Sequence, residues 1–239
     1  MENKARTDEL ERLSRELAER TGGTWRTVWR SRVWHFTVWS AYAMKRFIDL
    51  VVAITAVLLL SPVFLLTYLA VRLTSRGPAF FAQTRVGRDG RHFAFYKFRS
   101  MYVDAEARKD ALLAQNESKG GVIFKMKNDP RITPVGRFIR KFSIDELPQL
   151  WNVIKGDMTL VGPRPPVPRE VALYSLEDRK RLNVIPGITC LWQVSGRSDI
   201  PFQEQVRLDK EYIRTHGFWN DLKILLKTIP AILSGRGAY

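Results

Sequence analysis

Two adjacent carboxylates, Asp145 and Glu146, stand between two sets of cations. Arg137, Arg140 and Lys141 precede them, and Gly162-Pro163-Arg164-Pro165 follows as a turn stiffened by its prolines. Carboxylates suit a hard divalent cation, and guanidiniums suit phosphate oxygens. Together they could hold a metal ion and a phosphorylated substrate in one place. The same residues also have a purely structural reading. Ser143-x-x-Glu146 matches a capping box, in which the serine hydroxyl and the glutamate carboxylate each take a free helix N–H. Asp145 in a first turn suits the helix dipole. Leu147, Leu150, Trp151 and Ile154 continue at helical spacing, and Gly156 suits the left-handed residue after a helix end. The spacing therefore predicts a helix that begins at Ser143 and stops before Gly156.

Other candidates lie further away. Lys97 and Arg99 end an aromatic run and could hold a phosphate or serve as solvated edge charges. Arg197 follows Ser195-Gly196, where it either reaches an anion or is an ordinary turn arginine. Asp157 is either a turn residue, the preferred reading, or a second metal-associated carboxylate. His35, His92 and His216 are scattered without metal-ligand spacing, and the single Cys190 excludes an internal disulfide and a cysteine metal cluster.

A length of 239 residues allows one medium domain with extensions, and a net charge of +15 calls for an anionic partner: nucleic acid, anionic lipid or a phosphorylated substrate. From Phe47 to Val71 the chain is almost wholly apolar, with Asp49 near its start and Ser61-Pro62 in the middle. As a straight helix this run would rise about 37 Å, enough for a hydrocarbon core of about 30 Å. Pro62 breaks that geometry, and Ser61 can satisfy a freed carbonyl. Lys45 and Arg46 before the run, with Arg72 and Arg76 after it, favour both ends on the cytoplasmic side. A re-entrant helix kinked at Ser61 and Pro62 meets both conditions. Upstream, Trp25, Trp29, Trp34 and Trp39 alternate with Arg26, Arg30 and Arg32, the composition of a segment in the headgroup zone. Met1 to Arg20 reads as a short helix with Leu10, Leu13 and Leu17 on one face, broken off by Thr21-Gly22-Gly23-Thr24.

The expected organisation is a segment 1–43, a re-entrant helix 44–76 and a catalytic domain 77–239. The fold class is mixed α+β and mainly helical, with interfacial amphipathic helices. Pro78 to Met101 is a hairpin turning at Asp89-Gly90. Ala105 to Ser118 is a charged surface helix. Pro134 to Lys141 is a short helix placing Arg137 and Arg140 at i and i+3. Pro186 to Arg197 is a turn, a strand and a second turn. Phe202 to His216 is a helix, and Phe218 to Leu233 is another, with Phe218, Leu222, Leu225, Ile229 and Leu233 on the side that packs on the core or lies on a membrane.

Several motifs occur in a fixed order: Lys45-Arg46-Phe-Ile-Asp49, Ser61-Pro62, Gly77-Pro78, Phe81-x-Gln83-x-Arg85-x-Gly87, Tyr96-Lys-Phe-Arg-Ser-Met101, Ser143-x-Asp-Glu-Leu147, Asn152-Val-x-Lys-Gly-Asp157, Gly162-Pro-Arg-Pro165 and Pro186-Gly-Ile-Thr189. From about residue 44 onward the chain resembles the bacterial sugar transferases, monotopic phosphoglycosyl transferases, with Cys190 departing from an expected glycine. The resemblance implies a cytoplasmic active site at the bacterial inner membrane. It implies transfer of sugar 1-phosphate from a UDP-sugar to polyprenyl phosphate, with Asp145 as nucleophile, UMP as leaving group and Glu146 as the Mg²⁺ ligand beside Asp145. Arg140 falls where the family contacts the lipid phosphate, Lys97 and Arg99 look like further active-site cations, and Arg164 is the candidate for the nucleotide. Anionic lipids are expected partners, a homodimer is left open, and nucleic acid is not expected. Two rival readings are a membrane-tethered nucleic-acid-binding protein, which leaves the Asp145-Glu146 pair unexplained, and an inactive scaffold of a glycan assembly complex, against which the intact pair argues.

Overall fold

The computed structural model describes residues 25–112, 126 and 128–234, with residues 12, 13 and 16 besides. The helix expected over Met1 to Arg20 and the break at Thr21 to Thr24 lie largely or wholly outside the described residues. The chain divides into two compact units, Met1–Ile48 and Asp49–Tyr239.

In the first unit the described chain is helical from Trp25, the start of helix α1 (Trp25–Leu59). Neither glycine nor proline interrupts these residues, so the Trp/Arg-rich segment and the start of the apolar run form one helix. Trp29, Trp34, Phe36 and Trp39 are all exposed.

The second unit begins with the end of α1 and with α2 (Ser61–Thr74), bent from it by 60°. Pro62 occupies the first turn of α2, where its missing N–H costs nothing, and Ser61 Oγ donates to Leu58 C=O at 2.8 Å. No single helix among the described residues is long and apolar enough to cross a membrane; the bent pair together passes on length and composition. One face of the pair packs inward. Ala53 joins Phe95, Val153, Met158 and Ile224 in the main core, and Val71 joins Ala79, Phe98 and Ile139 in a second cluster. The opposite face exposes Leu58, Leu59, Leu65, Leu66, Leu69 and Leu73. Asp49 is buried; its carboxylate accepts from the Thr159 hydroxyl and from Leu160 N–H at 3.4 Å. A buried carboxylate needs such donors, so these bonds fix where α1 meets the sheet below.

Strands β1 (Phe80–Val86) and β2 (His92–Phe98) pair antiparallel, with Thr84 opposite Ala94 and Ala82 opposite Tyr96. The turn between them carries Asp89 and Gly90 at positive φ, 57° and 78°, as an Asp-Gly turn requires. The charged helix expected from Ala105 to Ser118 is shorter at its start: residues 103–108 are turns and α3 covers Lys109–Leu112, with 113–125 outside the described residues. Ala105 is buried and its carbonyl accepts from Arg131 Nη1 at 3.3 Å, so this stretch is tied to the interior. Helix α4 (Pro134–Lys141) is capped by Thr133, whose hydroxyl accepts from Gly136 N–H at 2.8 Å. Helix α5 (Gln149–Lys155) ends at Gly156 with φ 91°.

Strands β3 (Thr159–Val161) and β4 (Gly187–Thr189) form a short parallel pair. Helices α6 (Pro168–Ala172) and α7 (Leu176–Arg179) lie between them in sequence. The strand expected to continue past Thr189 stops there, and α8 (Leu191–Ser195) follows. Its partner strand has run out: β3 gives way to Gly162-Pro163, and proline cannot donate to a ladder. Helices α9 (Phe202–Thr215) and α10 (Phe218–Ser234) complete the unit. In α10 Asp221 and Ile224 face inward, while Phe218, Leu222, Leu226, Ile229 and Leu233 form an exposed apolar stripe. Among the described residues the architecture is mainly helical, with two small two-stranded sheets.

Candidate active site

Asp145 and Glu146 lie on a single 3-10 turn, Ile144–Glu146, between α4 and α5. The expected capping box is absent. Ser143 adopts φ 54° and makes no capping bond, and α5 begins after Pro148. Charge explains the difference. The Glu146 carboxylate accepts from Lys97 Nζ at 2.8 Å and Arg164 Nη2 at 2.9 Å. Two charge-assisted bonds outweigh one neutral bond to a helix N–H. A non-glycine residue held at positive φ beside a cluster of charges marks local strain of the kind found at functional sites.

Lys97 extends from β2, with Nζ 5.5 Å from the Phe95 ring centre and 3.6 Å from Asp145 Oδ2. Asp145 is 5 % exposed. Burial pushes its carboxyl above the ordinary range; Lys97, Arg140 and Arg164 pull it down, while the like charge of Glu146 pushes it up further. Glu146 goes the other way. Burial disfavours its charge, but Arg164 and Lys97 more than offset this and hold it well below the usual carboxylate range. The two neighbours are thus made unlike: one a fixed anion, the other a buried carboxylate beside a single lysine. Arg164 is pushed down by burial, and the Glu146 carboxylate reverses this, leaving it raised.

The remaining expected cations divide. Arg140 lines the same cavity as the two carboxylates. Arg137 is exposed on α4 and is not among the lining residues. Arg197, itself at φ 53°, lines the cavity with Nη2 at 3.4 Å from Ser143 Oγ. Its Nη1 is buried with no hydrogen-bond partner among the described residues. Arg99 also lines the cavity, but its guanidinium is engaged at the end of α2: it donates to Arg76 C=O at 2.6 Å and to Ser75 C=O and Oγ, both at 2.8 Å. It closes the end of α2, where carbonyls lack helical partners. Asp157 receives Asn152 Nδ2 at 3.3 Å and Lys155 Nζ at 3.3 Å, as a turn residue does. Cys190, fully buried, takes extended backbone angles ahead of α8 and donates its thiol to Gln193 Oε1 at 3.0 Å.

Four cavity-lining arginines, Arg85, Arg131, Arg169 and Arg181, were not among the sequence candidates, and two of them have partners that explain their place. Arg85 donates to Pro165 C=O at 2.9 Å and to Gln83 Oε1 at 3.0 Å, bracing the turn that carries Arg164. Burial, with Arg164 close by, pushes its pKa down to about 10. Its sequence signal was the alternation Gln83-x-Arg85, which puts both side chains on one strand face. Arg181 is buried against Asp209 at 2.6 Å and over the rings of Tyr174 and Phe202. It lies in a run of charged residues that reads as surface, and its partner is remote in sequence.

The cavity has a volume of about 700 Å³. That suffices for a nucleoside diphosphate sugar. Its polar wall carries Lys97, Arg140, Asp145, Glu146, Arg164 and Arg197; its apolar wall includes Ala56 and Leu60 at the helix bend, Phe80 and Phe81 of β1, and Ala231 and Ile232 of α10. Such a cavity suits a ligand with a charged end and an apolar end. Among the described residues no group of three His, Cys, Asp or Glu side chains could hold a metal. The Asp145-Glu146 pair alone still fits Mg²⁺, which typically takes one or two carboxylates and completes its shell with water and substrate phosphate. Both cation contacts of Glu146 go to Oε1, so Oε2 accepts no hydrogen bond from the described residues.

Residues 40–235 match the family described as Bacterial sugar transferase. The chain is 50% identical over 204 residues to Galactosyl transferase CpsE of Streptococcus agalactiae, covering 85% of this chain and 45% of that protein. It is 46% identical to the Undecaprenyl-phosphate galactose phosphotransferase of Salmonella typhimurium, covering 84% and 42%. The chain thus spans under half the length of these two relatives. It is 40% identical to the Exopolysaccharide production protein ExoY of Rhizobium meliloti, and here the match covers 82% of this chain and 88% of that protein.

Proposed function

Because the chain belongs to the bacterial sugar transferase family, we propose that it moves a sugar 1-phosphate from a UDP-sugar to polyprenyl phosphate. The names of relatives support the reaction class, among them an undecaprenyl-phosphate galactose phosphotransferase and an undecaprenyl-phosphate glucose phosphotransferase. The observation that carries the residue assignment is the unlike pair: Asp145 buried beside Lys97 at 3.6 Å, and Glu146 tied to both Lys97 and Arg164.

In the first step a carboxylate oxygen of Asp145 attacks the sugar-proximal phosphorus. The bond from that phosphorus to the bridging oxygen breaks, and UMP leaves with the electron pair. In the second step an oxygen of polyprenyl phosphate attacks the same phosphorus and releases Asp145, giving the polyprenyl diphosphate sugar. Lys97, Arg140 and Arg164 offset the charge that repels an anionic nucleophile from an anionic substrate. Mg²⁺, when bound, would be held by Glu146 and Asp145 and would supply further charge neutralisation to a phosphorylated substrate. Two steps let two phosphorylated substrates use one cavity in turn.

In this reading the bent pair of α1 and α2 enters the inner leaflet and leaves on the same side. Its exposed leucines face lipid and its inner face stays on the catalytic unit. The stripe of α10, flanked by Lys223 and Lys227, rests among anionic headgroups. The product would feed surface glycan or exopolysaccharide assembly from the cytoplasmic face. The test is turnover in membranes supplied with polyprenyl phosphate, Mg²⁺ and a panel of UDP-sugars, read as UMP release. Release that depends on the lipid acceptor supports the proposal; no release with any donor contradicts it.

A further inference from the structure

Asn152 lies six residues beyond Glu146 on α5 and is fully buried. Its side-chain Oδ1 accepts from Tyr96 N–H at 3.1 Å, and its Nδ2 donates to Ala94 C=O at 2.7 Å. These are groups on the edge of β2 turned away from β1, so the amide presents to that edge the donor and acceptor that a neighbouring strand would present. The second N–H of Nδ2 goes to Asp157 Oδ2 at 3.3 Å. A carboxylate only accepts, so this contact fixes which way the amide points. The Asn152 carbonyl meanwhile accepts from Gly156, Asp157 and Met158 N–H, at 3.1, 3.0 and 3.2 Å, closing the end of α5. Lys97 is the residue after Tyr96, and the Asp145-Glu146 turn leads directly into α5. One side chain therefore ties the strand bearing the lysine to the helix that follows the carboxylates.

We infer that Asn152 is a positioning residue that sets where Lys97 meets the Asp145-Glu146 pair. The inference rests on the reading of Asp145 as the nucleophile. Displacing a charged group by about 1 Å in such a site lowers rate by up to about 100-fold.

The test is single-turnover capture of label from a UDP-sugar labelled in its sugar phosphate, using the purified full chain with Mg²⁺ and no lipid acceptor. Rate and amplitude are read separately. Asn152→Ala removes the whole bridge. Asn152→Asp keeps its shape and the acceptor for Tyr96 but loses the donor to Ala94. Both should slow capture about 10- to 100-fold, with amplitude and the donor concentration for half-maximal rate near wild type. In a Lys97→Gln background the same changes should cost less than about 2-fold, because the group they position is gone. A lower amplitude at unchanged rate, or an equal loss in both backgrounds, overturns the inference and leaves Asn152 a folding residue. If neither variant folds, Asp157→Asn decides the question through the orienting contact: a loss of about 3-fold in rate is expected, and a change in amplitude alone contradicts it. If wild-type protein captures no label, the proposed function fails instead, which separates the two outcomes.

Discussion

Glu146 is held by two cations and Asp145 is approached by one, and this asymmetry separates their expected roles. Asp145→Asn should abolish capture and turnover, because an amide cannot form an acyl phosphate. Glu146→Gln should impair both steps, through the metal and through loosening of Lys97 and Arg164. Arg140→Ala is the more discriminating change. If its cation serves the lipid phosphate, discharge of labelled enzyme by polyprenyl phosphate should slow more than label capture does. A charge-assisted contact is worth about 1.5–3 kcal/mol, or about 10- to 150-fold in rate. Equal loss in both steps would move Arg140 to a shared phosphate position. Arg99 gives a contrast. With its donors on Ser75 and Arg76, Arg99→Ala should lower thermal stability and leave the ratio of the two half-reaction rates unchanged; a selective loss in one step would restore it to the substrate.

The carboxylates and Arg164 were legible in the sequence because adjacency and proline-fixed turns are local facts. Their partners were less so. Ser143-x-x-Glu146 reads as a capping box on any local rule, and it failed because Lys97 and Arg164 reach Glu146 from residues distant in the chain. Arg85 and Arg181 were missed for the same reason: their acceptors, Pro165 and Asp209, become neighbours only after folding.

At the scale of elements, signals that depend on backbone conformation carried over well. The Asp89-Gly90 hairpin, the Pro134 start of α4 and the left-handed Gly156 all stand where the residue types put them. Strand length did not, since it depends on the partner: β4 stops when β3 does. Gly136 marks a constraint with a measurable cost. A Cβ there would fall 1.9 Å from Ser100 O, a backbone atom that cannot swing aside. Gly136→Ala should therefore destabilise the fold by about 2–3 kcal/mol, read as a lower unfolding midpoint, and shift α4 together with Arg140. Wild-type stability would show that this contact relaxes freely. The bend at Leu60 has its own test. Replacing Ser61-Pro62 with Ala-Leu removes the proline and the Ser61 bond to Leu58, and should straighten the helix into one long enough to span a bilayer. Protease accessibility of the two flanks in sealed vesicles would report it.

For the whole molecule, the end of α1, α2 and the α10 stripe expose apolar side chains, and the charged cavity lies within the same unit. This arrangement is what the proposed transfer between a soluble and a lipid-borne substrate requires. If the pair is re-entrant, single cysteines placed before Lys45 and after Arg76 should both react with an impermeant reagent from the cytoplasmic side, and labelling from opposite sides would make it a span. The measurement that tests the central claim most directly is mass analysis of the intact chain after incubation with UDP-sugar and Mg²⁺, without polyprenyl phosphate. An added sugar phosphate is expected on Asp145, absent in Asp145→Asn and discharged when polyprenyl phosphate is added. Lipid-dependent UMP release by a wild-type chain that never carries this adduct, or turnover retained by Asp145→Asn, would contradict that claim.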